Sequence, residues 1–257
     1  MKRNLFCSKG KLLDMTKSHN PRFYTPDLAV GKIELPASEA RHAATVKRLS
    51  IGDNITLFDG SGKSAQAIIV SATKRQVIVQ VNKIAQQQAS LPKVNLAFAI
   101  PKSKRLDWLL EKVTELGVSK LYPIIFERSV AGGDKLTASK RDRWELHCVS
   151  ACKQCRSNWI PKIMPMQWLS DFLEGDISGL KLLGDLEPET SSLAKLLTNN
   201  PDNEITILIG PEGGVSPAER DQILQAGWSP ARLGNTTLRI ETACIAMLAG
   251  ISAILRD

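Results

Sequence analysis

The residues whose spacing holds the most chemistry lie in two loops near the carboxyl end. Gly210-Pro211-Glu212-Gly213-Gly214 follows the apolar run 205–209 and precedes Ser216-Pro217-Ala218-Glu219. Glycines let backbone come close to a ligand, Pro211 stiffens the turn, and Glu212 adds a carboxylate. The loop lacks the Gly-Lys-Ser/Thr of a phosphate-binding loop and the Gly-x-Gly-x-x-Gly spacing of a dinucleotide site. It is either a ligand loop of another kind or a tight structural turn. The second loop reads Leu233-Gly234-Asn235-Thr236-Thr237-Leu238-Arg239-Ile240-Glu241-Thr242-Ala243. Its backbone N–H and C=O groups, with Leu233 and Leu238 beside them, suit a flat ligand such as adenine. Arg239 and Glu241 either serve that ligand or pair with each other. A third cluster, Cys148, Cys152 and Cys155, falls along one helix face. Zinc would need a fourth ligand and the adjacent His147 points elsewhere, so a reduced, buried face is expected and no metal.

These loops need a scaffold of strands and helices. The run 205–209 reads as a buried strand. Ser216 is a helix N-cap, Pro217 fits the first turn, and Glu219 completes a capping box. The strand 231–233 leads through the second loop into a helix from about 241 to 255, apolar nearly all round and so buried on most sides. Upstream, 94–100 and 121–126 are further strands. Leu106, Leu109, Leu110, Val113 and Leu116 form one helical stripe, closed by Gly117 at the left-handed position. A second helix spans 141–155. Strands alternating with helices make an α/β domain with a largely parallel sheet, and ligands of such sheets bind where the loops follow the strands.

Residues 21–85 differ. Short alternating runs at 54–58, 67–70 and 77–81, with turns at Asp59-Gly60 and Ser61-Gly62, resemble a small β-barrel. The polar stretch 86–92 marks the boundary. The expected units are a basic, disordered extension over 1–19, a barrel over 20–88 and an α/β domain over 89–257. The extension, with Lys2, Arg3, Lys9, Lys11 and Lys17 against Asp14, is alternatively a transit peptide or the product of a start placed upstream of Met15.

The formal charge of +8 is unevenly spread: residues 1–19 carry +4, residues 20–89 carry +4, and the remainder is neutral. A basic module beside a neutral one is either a polyanion-binding arm or a solvated surface. Five cysteines, an odd number in a chain this long, do not make a disulfide framework. No apolar run reaches the roughly 18–20 residues that span a bilayer, so a soluble protein without a membrane role is expected.

Taken together, Leu208-Ile209-Gly210-Pro211-Glu212-Gly213-Gly214 and Leu233-Gly234 through Leu238-Arg239-x-Glu241-Thr242-Ala243 resemble the signature of the ribosomal RNA N3-methyluridine methyltransferases of the SPOUT superfamily. Arg22-Phe23-Tyr24, His42, Val46, Arg48, Gly52-Asp53 and Phe58-Asp59-Gly60 match that family's N-terminal domain. Pro101-Lys102, Arg105, Lys112, Thr114-Glu115-Leu116-Gly117-Val118, Glu127-Arg128-Ser129, Gln154 and Pro161 match its catalytic domain. The resemblance runs over about residues 21–256. Three positions depart: Ser157 stands where many relatives have a basic residue, with Arg156 one place earlier; Ile240 stands where Thr is frequent; Lys47 replaces an apolar residue.

The resemblance implies a SPOUT-type α/β methyltransferase domain with a C-terminal trefoil knot behind an N-terminal PUA-like β-barrel. It implies S-adenosylmethionine as methyl donor and N3 of a uridine in 16S-type ribosomal RNA as acceptor, within the assembled small subunit. Donor contacts fall on Leu208, Ile209, Gly210, Glu212, Gly213, Gly214, Leu233, Gly234, Leu238, Arg239, Thr242 and Ala243. Arg239 and Arg128 are the cations for charge developing on the uracil, and Glu212 or Glu241 positions loops or accepts the N3 proton. Arg22, Lys47, Arg48, Arg105 and Arg156 are the RNA candidates. A homodimer in the cytoplasm is implied, or in an organelle if residues 1–19 are a transit segment. Two other readings stay open: a methyltransferase for another RNA, such as a tRNA ribose 2′-OH, and a non-catalytic RNA-binding assembly factor.

Overall fold

Apolar residues at every second position build the N-terminal unit. The computed structural model describes residues 20–129, 136–187, 190–199 and 203–255; the extension over 1–19 lies outside them. Strands β1 (Arg22–Tyr24), β2 (Gly31–Glu34), β3 (Asn54–Phe58), β4 (Lys63–Ala72), β5 (Val77–Val81) and β6 (Ala85–Gln86) make one sheet with the path β1-β3-β4-β5-β2, and β6 pairs with β4. Ala65, Ala67 and Ile69 of β4 and Val77, Val79 and Val81 of β5 point inward. Phe23, Ile55 and Leu57 join them, with Ala40 and Ala43 from helix α1 (Ala37–Arg41) and the π-helical turn after it.

The second unit holds β7 (Lys93–Ala99), α2 (Ser103–Glu115), β8 (Lys120–Ile125), α3 (Ala138–Cys155), β9 (Lys162–Ile163), β10 (Gln167–Trp168), α4 (Leu169–Glu174), β11 (Leu180–Gly184), β12 (Ser191–Ser192), α5 (Leu193–Asn199), β13 (Glu204–Ile209), α6 (Pro217–Gln225), β14 (Ser229–Arg232) and α7 (Ile240–Leu255). Its sheet runs β10-β8-β7-β13-β11-β14-β12, with β9 on β8, and every pairing is parallel. Central strands covered on both faces need continuous apolar sequence; Leu96–Ala97–Phe98–Ala99 and Ile207–Leu208–Ile209 supply it. The α2 stripe packs Leu106, Leu109, Leu110 and Val113 into the same core.

One expectation is corrected. Neither a closed barrel nor a trefoil knot is indicated among the described residues. Strands β1 and β2 end the path of the first sheet and do not pair, so that sheet is open. Its β1 edge has another cover: α3 packs on β1, and the Arg22 guanidinium donates to the Ser157 carbonyl at 3.0 Å. The apolar last helix does not require a threaded path either, since α7 lies on β7 and β13 between α2 and α5. In place of the SPOUT-type knotted barrel-and-domain picture stands an open mixed sheet beside a parallel α/β sheet.

Candidate active site

The loops that leave β11, β13 and β14 at their carboxyl ends meet in one cavity of about 320 Å³. After Ile209 the chain folds back so tightly that a Cβ on Gly210 would lie 2.5 Å from Val215 Cγ2. Gly214 holds φ +76°, a conformation that a side chain would strain. The loop then locks into α6 through the capping box: Glu219 N donates to Ser216 Oγ (3.3 Å) and Ser216 N to Glu219 Oε2 (3.0 Å). The other Glu219 oxygen accepts from Glu127 N at 2.7 Å, which ties the loop after β8 to the glycine loop. Arg128 follows Glu127 and donates to the Gly213 carbonyl at 3.4 Å.

Of the residues expected to hold the donor, Ile209, Gly210, Glu212, Gly214, Leu233, Gly234, Leu238 and Ala243 line the cavity. Leu208 is fully buried in the sheet core, and Arg239 and Thr242 are exposed; these three, with Gly213, lie off the lining. A Cβ on Gly213 would face Arg128, 3.3 Å from its Cβ, and not the cavity. Sequence reading missed the third loop, Leu183-Gly184-Asp185-Leu186-Glu187. Asp185 organises it by accepting from Leu186 N (2.7 Å) and Glu187 N (3.3 Å) and from both Nε and NH2 of Arg220 (3.2 and 2.9 Å). Its signal was the run Leu180-Lys181-Leu182-Leu183, apolar but for Lys181, ended by Gly-Asp in a strand-to-loop step like that at Ile209-Gly210.

Glu241 does not pair with Arg239. Its carboxylate, 8% exposed, lies 3.8 Å from Arg105 Nε, and its Oε2 is buried without a partner. Arg105 NH1 makes its ion pair with Glu212 Oε1. Arg105 therefore bridges the start of α7 and the glycine loop instead of facing outward. Arg239 has no ion pair among the described residues.

The RNA candidates also separate. Arg22 is half-buried between the two units: NH2 donates to Ser157 O and to Asn158 Oδ1 (2.7 Å), and the guanidinium lies 4.8 Å over the Phe58 ring. Burial pushes its pKa down from the usual arginine value. Lys47 and Arg48 are exposed, Arg48 at φ +54°. Arg156 is exposed too and caps α3 in the left-handed conformation, while Ser157 Oγ accepts from Trp159 N (3.0 Å). Cys148 and Cys152 are buried, and Cys155 is partly so; all three are free thiols. His147 faces Asp107 at 3.3 Å.

Comparison with known proteins agrees with this layout. A family model described as an RNA methyltransferase domain matches residues 87–252, and an RNA methyltransferase PUA domain matches residues 35–82. Fold and site thus define an RNA methyltransferase. The ribosomal RNA small subunit methyltransferase E of Buchnera aphidicola is 31% identical over 245 residues, covering 92% of this chain and 94% of the relative. That of Bacillus subtilis is 29% identical over 226 residues, covering 85% and 88%. Among solved structures, the Neisseria gonorrhoeae methyltransferase E bound to S-adenosyl methionine matches with TM-score 0.83 and 32% identity, over 92% of this chain and 98% of that one. A Legionella pneumophila methyltransferase in complex with bound SAM matches with TM-score 0.83 over 91% and 98%. The chain belongs to the ribosomal RNA small subunit methyltransferase E family, and it is the architecture of those structures, in place of the SPOUT-type knot, that it shares.

Proposed function

We propose that the chain transfers a methyl group from S-adenosylmethionine to N3 of a uridine in small-subunit ribosomal RNA. The observation that carries this reading is the cavity shared by three strand-to-loop turns at the carboxyl edge of the parallel sheet. The lining fits the donor. Leu233, Leu238, Ile209 and Met247 offer apolar surface, and the glycine loops offer backbone polar groups to an adenine edge. Among the lining side chains Asp185 and Arg220 neutralise each other and Glu212 is paired with Arg105, which leaves Glu187 to complement the cationic donor. When bound, the donor supplies an activated methyl group, so no metal is required.

The protein's work is orientation. It must hold N3, the methyl carbon and the sulfur in line, which lowers a barrier by roughly 7–11 kcal/mol in the best cases. N3 lies on the Watson–Crick edge, so the target uridine enters unpaired or extruded. Residues 20–88 form the RNA-holding unit, with Lys47 and Arg48 as phosphate contacts, and residues 89–257 form the catalytic unit. Arg128, which donates to Gly213 of the glycine loop, and Arg239, exposed beside the cavity-lining Leu238, are the cations assigned in this reading to charge developing on the uracil oxygens. The outer side of α7 carries partly exposed Ile245, Ala246 and Ala249 and exposed Ile254, an apolar band suited to a second copy and hence to a homodimer. No helix among the described residues is long and apolar enough to cross a membrane, and the cytoplasm, where ribosomes are assembled, is the compartment this reading requires.

The test is methylation in vitro of isolated small subunits and of naked ribosomal RNA, read by nucleoside mass spectrometry. New 3-methyluridine on the subunit is the expected product; methylation of a ribose, or none with donor bound, would refute it.

A further inference from the structure

A methyl transfer to uridine N3 leaves one chemical step open, the removal of the N3 proton. Two carboxylates stand near the glycine loop and α7, and their surroundings differ. Glu241 is 8% exposed, lines neither the donor cavity nor the cleft beside it, and keeps its free oxygen buried in protein. An N3–H cannot reach it. Glu212 lines the donor cavity and also the narrow cleft beside it, formed by Ala99–Lys102, Ser129, Pro211 and Ile240. Pro211, Glu212 and Ile240 are the residues common to both, and Glu212 is the one ionisable side chain among them. Its Oε1 is held by Arg105 NH1, and its Oε2 has no protein partner among the described residues.

We propose that Glu212 is the proton acceptor and that Arg105 is the residue that positions it. The assignment rests on the methyl-transfer reading above. The N3–H bond breaks and its proton passes to Glu212 Oε2. The electron pair left on N3 forms the bond to the methyl carbon, and the carbon–sulfur pair returns to sulfur, which becomes a neutral thioether. The starting charges of a cation and a carboxylate end as neutral products, so no other reactant is needed. The charged groups around Glu212 are Arg105 from α2, Glu241 from α7 behind it, Lys102 in the adjoining cleft and Arg128 against Gly213. Arg105, gripped on its far side by Glu241, fixes one carboxylate oxygen and leaves the other unpaired on a side chain that borders both spaces.

The experiment measures single-turnover methylation of small subunits by the full chain from about pH 6 to about pH 9, alongside calorimetry with S-adenosylmethionine. Glu212→Gln keeps the shape and loses the base. It should bind the donor within about threefold of wild type and transfer methyl roughly 10²-fold or more slowly at neutral pH, the scale of general-base catalysis. Its rate should climb with pH as uridine ionises unaided, so the deficit shrinks in alkali. Arg105→Ala should slow transfer less, and Arg105→Lys should recover part of that loss. A Glu212→Gln enzyme with wild-type rate and pH profile would overturn the proposal, as would one that no longer binds donor. A wild type that binds donor yet methylates nothing would overturn the broader reading first.

Discussion

The seam between the two units and the cavity at the carboxyl edge use the same residue types to opposite ends. At the seam the polar side chains of Arg22, Asn158 and Lys153 are, Arg22 Nε apart, committed to protein partners. Arg22 meets Ser157 and Asn158, Asn158 Nδ2 donates to Gln87 Oε1 at 3.0 Å, and Lys153 Nζ donates to both Glu39 oxygens at 2.8 and 3.1 Å. Backbone joins in, with Gly62 N donating to Asn158 O and Ile160 N to Gly60 O, both at 3.0 Å. In the cavity backbone turns and carboxylate oxygens face open space, and Arg239 stands exposed at the rim. A buried polar group left unpaired costs about 1–3 kcal/mol, so the seam reads as structure. Groups kept available in a concave, partly apolar space read as waiting for a ligand.

The largest expected effect breaks the cavity alone. In Gly210→Val the new side chain must displace Val215, which lines the cavity. Donor affinity should fall at least tenfold, about 1.4 kcal/mol, by calorimetry. Gly213→Val should cost less, because its Cβ meets Arg128 instead of the donor space. Equal losses from the two variants would mean that the loop acts as one rigid unit and that the direction a glycine faces is irrelevant.

Next comes the seam. Arg22→Ala leaves Asn158 Oδ1 and the Ser157 carbonyl without their donor and uncovers Phe58. Hydrogen bonds from charged groups are worth about 1.5–3 kcal/mol, and partial exposure lowers that to about 1–2. A melting temperature lower by roughly 2–8 °C is expected, with donor affinity unchanged. A variant that melts like wild type but binds RNA poorly would return Arg22 to the RNA surface, where its basic character alone had put it.

How much of this was legible follows from the range of the interactions. Strands β3, β5 and β13 and the capping box at Ser216 and Glu219 are local, set by period and by neighbours three residues apart, and the sequence shows them. Two of the three cavity loops were legible, the first by its glycine cluster and the second by its motif between a strand and an apolar helix; the third, Leu183 to Glu187, carries no such cluster and is organised by Arg220, thirty-five positions from Asp185. The ion pairs of Arg105 could not be read, since Glu212 and Glu241 reach it only after the sheet has stacked α2 beside α7. Sheet closure was invisible for the same reason: β1 pairs with β3 and then meets α3 of the other unit.

A smaller effect is expected where charge faces solvent. Lys47→Ala with Arg48→Gly removes two cations, and glycine suits the positive φ at 48 without strain. Each lost phosphate contact should flatten the slope of log affinity for ribosomal RNA against log salt by roughly 0.7–0.9, with stability and donor binding unmoved. An unchanged slope would make this face solvated surface, and Arg156 or Arg239 the next place to look.

The smallest effect is a label at the edge of the seam. The Cys155 thiol is pushed down from the ordinary thiol value, first because the Cys152 thiol hydrogen-bonds to it and against the opposing effect of its own partial burial. Burial drives Cys148 and Cys244 the other way, to about 11 and beyond the ordinary range. A thiol with a lowered pKa carries more thiolate at neutral pH than an ordinary thiol near 8.5, and its reactivity falls as pH falls. Iodoacetamide at about pH 7 should therefore modify Cys155 ahead of Cys148, Cys152 and Cys244, as peptide mass spectrometry would read. Because Cys155 ends α3 beside Ser157 and not beside the cavity loops, the labelled protein should keep its affinity for S-adenosylmethionine. A labelled protein that has lost donor binding would show that seam and cavity are mechanically linked through α3, and the contrast between a finished interface and an open site would then describe one coupled device.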